Sequence, residues 1–208
     1  MLLLGHAGIT AGIVKIGDIL SSMNRPLDNC YPDSSAGDSL TIPKKLLPFG
    51  RRINGIRRQL GSIDYRLVLL GSLLPDIIDK PLWLAFSDVS LSGRDYGHTF
   101  LFNIVLLICG LLVVKYRKSW LLTISLSSIM HLILDQMWTN PVTLWWPLLG
   151  PLQREEVTGW MSGIIQRLSS NPATYIPEII GLIIILLIGY GLIVRKNSIK
   201  FIRTGVID

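Results

Sequence analysis

The chain has 208 residues; half of them are hydrophobic, only 16% are charged, and the mean hydropathy is +0.49. Soluble globular domains carry about 25% charged residues, so this composition disfavours a soluble domain and favours a chain embedded in a bilayer. The net charge of +6 would suit nucleic acid in a soluble protein. In a hydrophobic chain it indicates Lys and Arg retained at the cytoplasmic side, so we expect no nucleic-acid partner.

Five apolar segments follow one another along the chain. The first runs from Leu2 to Val14, with an extension towards Leu20, and the second from Leu67 to about Phe86. We expect the second segment to break at Pro75, because proline cannot donate a backbone hydrogen bond. About twenty apolar residues span a bilayer. The sequence therefore predicts one all-α domain over residues 1–208, an integral membrane helical bundle of about five transmembrane helices, whose remaining segments cover residues 99–114, 120–138 and 176–194.

Positive charge is distributed unevenly among the connections. Residues 21–66 hold eight of the twenty Lys and Arg residues, the turn after the third segment holds three, and the tail holds four. These connections share one side if the chain crosses five times, and positive charge marks the cytoplasmic side. We predict a multi-pass protein of the plasma or inner membrane with its N-terminus outside and its C-terminus in the cytoplasm. Residues 21–66 then form a basic cytoplasmic loop and residues 139–175 an extracytoplasmic loop.

The chain contains only three histidines, His6, His98 and His131, and each lies in or beside an apolar segment. Ionisable groups are costly to place in a bilayer, so they are candidates for a functional site. The rise of about 1.5 Å per helical residue places the histidines and Asp76 about 14 to 25 Å above the cytoplasmic charges. Asp135 follows His131 by four residues, so the two share a helix face. Residues far apart in sequence therefore need not be far apart in space.

Mixed imidazole and carboxylate ligands suit a divalent metal, above all zinc, with manganese or magnesium as alternatives. Arg94 could hold a phosphate with two hydrogen bonds, and it is a candidate catalytic residue together with Asp79. Each group also has a simpler interpretation, since a buried His or Asp can join two helices and an Arg can anchor at the interface. The hypothesis is one metal site whose candidate ligands are His6, Asp76, Asp79, His98, His131 and Asp135.

Four motifs occur in order over residues 1–150: GHAG, GSLLPDIIDKPL, GRDYGHTFLF, and HLILDQMW followed by NPVTLWWPL. Together they resemble the YdjM-like family of membrane-bound metal-dependent hydrolases and, more distantly, the zinc-dependent phospholipases C. The resemblance implies hydrolysis of a phosphoester or lipid-like substrate at a metal site. Family members typically have a Pro-Asp-x-Asp-like element. Here the second aspartate follows Asp76 by three residues, which makes Asp79 a less secure ligand than Asp76.

These observations predict a membrane enzyme that hydrolyses a phosphoester of a membrane phospholipid with water activated by a metal. In a non-catalytic alternative, the buried His and Asp groups conduct ions or protons or hold helices together. In a third interpretation the basic residues 44–60 dock a cytoplasmic partner or rest on anionic lipid.

Overall fold

A computed structural model describes residues 3–23, 63–85, 93–116, 118–152, 165–166 and 168–207. No strand occurs in these ranges, which confirms the all-α prediction. Most of the predicted cytoplasmic loop and residues 153–164 of the predicted outer loop lie outside the described residues. The long helices are α1 (Leu3–Met23), α2 (Tyr65–Ala85), α3 (Phe100–Val114), α4 (Trp120–Leu134) and α6 (Pro172–Val194). The short ones are a 3-10 turn (Met137–Thr139), α5 (Pro141–Leu144) and α7 (Ser198–Thr204).

Two of the described helices are long and apolar enough to cross a membrane: α1 over Leu3–Leu20 and the whole of α6. Helices α3 and α4 are apolar but have 15 residues each. At about 1.5 Å per residue they are shorter than a hydrocarbon core of roughly 30 Å. Helix α2 has 21 residues and carries four charged side chains. The apolar helical bundle is therefore confirmed, while five complete crossings stay a prediction.

Helices α1 and α6 run parallel and touch through glycine. Gly5 lies against Pro177, and Gly8 lies against Gly181. A Cβ atom added to Gly8 would lie only 2.1 Å from the carbonyl oxygen of Gly181. Small residues of this kind let two helix backbones approach closely in a membrane. Gly8 and Gly181 therefore fix how α1 sits on α6.

The five long helices alternate in direction along the chain, as five crossings would require. The Tyr65 hydroxyl at the start of α2 donates to Asp18 near the end of α1 at 2.9 Å. Ser128 of α4 donates to Asn103 of α3 at 2.7 Å, and Gly110 further along α3 packs on the earlier Leu122. One end of the bundle thus gathers basic residues, and we call it the basic end: Lys15, Arg66, Lys115, Lys118 and Arg195.

The break predicted at Pro75 is wrong, because α2 continues through both Pro75 and Pro81. Each proline leaves one carbonyl of the preceding turn without its usual N–H donor. Tertiary packing holds the helix together at Pro75, which is buried beneath Gly97. A Cβ atom on Gly97 would lie 2.9 Å from Pro75 Cα. Proline is tolerated in membrane helices where neighbouring segments pack on it in this way.

The C-terminal segment folds back on the basic end. The Tyr65 amide donates to the Gly205 carbonyl at 2.8 Å, and Lys15 Nζ donates to the Ile207 carbonyl at 2.7 Å. Gly205 has a φ of 71°, the left-handed conformation with which many helices end. The segment after α6 therefore joins the cytoplasmic ends of α1 and α2 under the predicted orientation.

Candidate metal centre

Five of the six predicted ligands meet in the half of the bundle opposite the basic end. They come from four parts of the chain: α1, α2, the loop before α3, and α4 with the residue that follows it. The ligand atoms form two overlapping groups, and within each group they lie within 4.8 Å of one another. Both groups contain His131 and could hold a metal ion: His6, His131 and Asp135 in one, and Asp76, His98 and His131 in the other.

The Nε2 atoms of His98 and His131 face each other at 3.2 Å, and both rings are fully buried. His131 Nδ1 lies 2.7 Å from the Ser72 carbonyl oxygen, which can only accept a hydrogen bond. His98 Nδ1 lies 2.7 Å from Asp79 Oδ2. Each ring therefore carries its proton on Nδ1 when neutral, so each Nε2 presents a lone pair.

This arrangement fits a divalent metal ion. Zinc–nitrogen bonds are about 2.0 to 2.1 Å, so two nitrogens on a tetrahedral ion would lie roughly 3.3 Å apart. The observed separation between the two Nε2 atoms is 3.2 Å. Metal-binding histidines also commonly donate their other N–H to a carboxylate or a carbonyl. Asp79 and Ser72 supply one acceptor of each type.

Two carboxylates complete the cluster. Asp76 Oδ1 lies 3.7 Å from His98 Nε2, and Asp135 Oδ2 lies 3.9 Å from the same atom. Asp135 Oδ1 lies 3.4 Å from His6 Nε2. The nitrogen and oxygen donors thus surround one small volume, and their mixture suits zinc or manganese.

Two cations lie at the rim of the cluster, each paired with one of its carboxylates. Lys80 Nζ lies 2.7 Å from Asp76 Oδ2, and Arg94 Nε lies 2.9 Å from Asp135 Oδ2. The Lys80 and Arg94 side chains are 46% and 45% exposed, whereas their partners are buried. The rim therefore exposes two cationic groups, while the candidate ligands beneath it are shielded.

Asp79 belongs to neither group of candidate ligands. Its Oδ2 atom accepts from the Asp95 amide at 2.8 Å and faces His98 Nδ1, while Oδ1 accepts from the Gly97 amide at 2.8 Å. Both oxygens are thus used to fold the loop before α3 and to orient His98. The predicted role of Asp79 as a ligand stays a prediction, and its geometry favours an orienting role.

Changing Asp79 to Asn should weaken zinc binding about 10- to 100-fold, the usual cost of altering an outer-shell partner. The amide nitrogen cannot accept a hydrogen bond, so either the loop or the His98 ring loses an acceptor. Isothermal titration of metal-free protein with zinc measures the effect. Asp18→Asn is the matched control, because Asp18 accepts from Tyr65 at the basic end. Equal zinc affinities in the two variants would contradict the orienting role.

A carboxylate that the sequence analysis missed positions His6. Glu178 of α6 is buried, and its Oε2 atom accepts from the amides of Leu4 and Gly5 at 3.0 and 3.1 Å. A negative group at a helix N-terminus is stabilising. His6 follows directly, and its ring stacks on His131 at 4.0 Å between centroids. The available signal was a lone glutamate in the apolar run after Pro177.

Asn103 is a second missed residue, and it ties the loop before α3 to α4. Its Nδ2 atom donates to the Gly97 and Thr99 carbonyls at 3.0 and 2.9 Å. Its Oδ1 atom accepts from Ser128 at 2.7 Å. The loop that carries His98 is therefore held from α2 by Asp79 and from α3 and α4 by this pair.

Comparison with known proteins gives one family. The sequence model described as YdjM inner membrane protein matches residues 43–206. The match confirms the resemblance seen in the motifs and extends it through α6 and α7, where no motif is recognisable. It includes every candidate ligand except His6. No curated protein and no solved structure matches the chain.

Proposed function

Because the chain belongs to the YdjM inner membrane protein family, we propose that it is a membrane-bound, metal-dependent hydrolase of a phosphoester in a membrane lipid. The observation that carries the proposal is the 3.2 Å approach of the His98 and His131 Nε2 atoms beside two carboxylates whose side chains are buried. Two lone-pair nitrogens held this close are stable when a cation lies between them. Zinc is the proposed ion, with manganese or magnesium as alternatives.

A divalent ion held by His98, His131, Asp76, Asp135 and His6 would polarise a phosphoryl oxygen and lower the pKa of a bound water. Asp79 and the Ser72 carbonyl keep a proton on Nδ1 of their histidines. Their role is thus to keep the Nε2 lone pairs directed into the site. Burial of the cluster excludes bulk water from its ligands.

The two rim cations support an anionic substrate. Arg94 presents a guanidinium that can hold a phosphate with two parallel hydrogen bonds, and Lys80 offers a point charge. Each is paired with a carboxylate of the cluster, so a phosphoryl group that reaches the rim meets cation and ligand side by side. A bilayer supplies such groups as phospholipid headgroups.

The proposed orientation places the cluster in the extracytoplasmic half of the membrane, with the N-terminus outside and the C-terminus in the cytoplasm. Two features support it: the alternating helix directions and the gathering of Lys and Arg at the basic end. Positive charge marks the cytoplasmic side of membrane proteins. The proposed location is the plasma or inner membrane.

Purified protein in phospholipid nanodiscs should release phosphate-containing headgroup, lose this activity with a chelator and regain it with zinc. Arg94→Gln should raise KM for the lipid because it removes a phosphate contact, with a smaller effect on kcat. Arg195→Gln is the matched control, since Arg195 lies at the basic end. Phosphorus analysis of the aqueous phase measures release. Release unaffected by chelation, or none with zinc bound, would overturn the proposal.

A second function is favoured by one observation: Lys80 and Arg94 already neutralise Asp76 and Asp135 without a substrate. Such a charge-balanced network, with its carboxylates buried and its cations at the rim, could conduct protons or ions, or join helices. Zinc-independent proton flux into protein-containing vesicles, with no lipid hydrolysis, would favour this function. Docking of a partner on residues 44–60 stays a prediction, because these residues lie outside the described ranges.

A further inference from the structure

An apolar cavity of about 230 Å³ lies between α1, α2 and α6, and none of the candidate metal ligands lines it. Its walls come from residues spaced by one helical turn on α1 and on α2, and from isoleucines of α6. The C-terminal segment forms its floor. The lining residues include Ala7, Ala11, Leu69, Leu73, Ile188 and Phe201.

The cavity offers a ligand hydrocarbon contacts and almost nothing else. Tyr65 is the one lining residue with a polar side-chain atom among those that the structure describes, and its hydroxyl is bonded to Asp18 at 2.9 Å. Apolar cavities of about 150 Å³ stay dry and bind hydrocarbon. The cavity here is only partly enclosed and has a volume of about 230 Å³. A polar ligand would lose its hydration in this space without gaining hydrogen bonds.

The position of the cavity relates it to the metal cluster. At its upper end Leu73 follows Ser72, whose carbonyl holds His131, and Ala7 follows His6. From Leu3 to Ala11 the wall on α1 extends about 12 Å along the helix axis, at 1.5 Å per residue. The cavity therefore begins at the level of the candidate metal ligands and extends towards the basic end. Lipid chains lie in this same direction in a bilayer.

The floor is anchored by polar contacts outside the cavity. Arg66 Nη1 donates to the Ile202 carbonyl at 2.7 Å, next to Phe201. Lys15 Nζ donates to the carbonyl of Ile207, which also lines the cavity, at 2.7 Å. These bonds hold the apolar side chains of the C-terminal segment against the lower end of the cavity.

We propose that this cavity binds one hydrocarbon chain of a membrane lipid, with the chain end at Phe201 and the polar end at the level of His6. The inference rests on the proposed function, because it assigns the chain of the lipid substrate to the cavity and its phosphoester to the metal cluster.

The test uses the full chain in nanodiscs of phosphatidylglycerol and phosphatidylethanolamine that contain a phospholipid with a diazirine at the end of one acyl chain. After irradiation, mass spectrometry should find label on Leu69, Ile188 or Phe201, and unlabelled long-chain lipid should compete. Ala11→Leu fills the cavity and should reduce this label several-fold. Ala173→Leu, the same change at an exposed position of α6, should leave it unchanged.

Ile188→Phe narrows the cavity from α6 and serves if Ala11→Leu does not fold, as judged by size-exclusion chromatography. Label spread over outward-facing side chains such as Leu186 and Ile193, with no competition and no response to either variant, would overturn the proposal. Labelling is done with chelator present and needs no turnover. Label at the cavity in a protein that binds no zinc would support the lipid-chain site and contradict the proposed hydrolase. Lipid hydrolysis without label at the cavity would support the hydrolase and contradict the lipid-chain site.

Discussion

Replacing His131 with Ala should abolish zinc binding and phosphoester hydrolysis together. His131 belongs to both groups of candidate ligands, faces His98 Nε2 at 3.2 Å and stacks on His6. Loss of a direct ligand should cost more than the about 10- to 100-fold that an outer-shell change costs. Zinc content by plasma mass spectrometry and headgroup release from nanodiscs measure the two effects.

His131→Ala also removes the side-chain donor to the buried Ser72 carbonyl, so thermal stability must be measured alongside. Ser125→Ala is the matched control on the same helix: its hydroxyl is buried and donates to the Leu121 carbonyl at 2.7 Å. It should retain zinc at full stoichiometry. If the His131→Ala protein binds as much zinc as the parent, the proposed metal centre is contradicted. If the stability of the His131→Ala protein is also unchanged, the alternative in which His131 only joins helices is contradicted as well.

The convergence of the ligands was predictable because α-helices turn sequence separation into depth. His6 lies in α1, His131 in α4 and His98 in the loop before α3, at overlapping predicted distances from the cytoplasmic charges, and the structure brings all three together. The identity of the groups was equally visible, because a histidine or aspartate in an apolar run stands out. In a membrane helical bundle, part of a candidate site can therefore be predicted from hydropathy and charge alone.

The remaining features depend on non-local contacts that no pattern in the sequence records. Glu178 caps α1 across 173 positions of the chain. The orienting role of Asp79 requires the amides of Asp95 and Gly97 to point at it, which is a property of loop backbone. The expected break at Pro75 followed a rule for isolated helices and overlooked the cover that Gly97 provides. Arg94 reaches the cluster through its ion pair with Asp135, a contact between two separate parts of the chain.

Changing Gly8 to Leu should separate α1 from α6 and cause a large loss of stability. A Cβ atom at Gly8 would lie 2.1 Å from the Gly181 carbonyl oxygen and 2.5 Å from its Cα. These are backbone atoms and cannot rotate away, so the helices must move apart. Overpacking of a well-packed core costs about 1 to 3 kcal/mol, and a backbone clash should cost more. Thermal melting in detergent measures the loss.

Gly17→Leu is the matched control, since a Cβ atom at Gly17 on the same helix meets nothing within 4 Å. It should melt close to the parent protein. Gly8→Ala tests whether the contact between α1 and α6 positions His6, because the Cβ atom of alanine alone suffices for the clash. Moving α1 breaks the bonds from Leu4 and Gly5 to Glu178 and draws His6 away from His131. Zinc affinity in Gly8→Ala should therefore fall to that of His6→Ala. If Gly8→Ala melts and binds zinc like the parent, the close contact of α1 with α6 does not position His6.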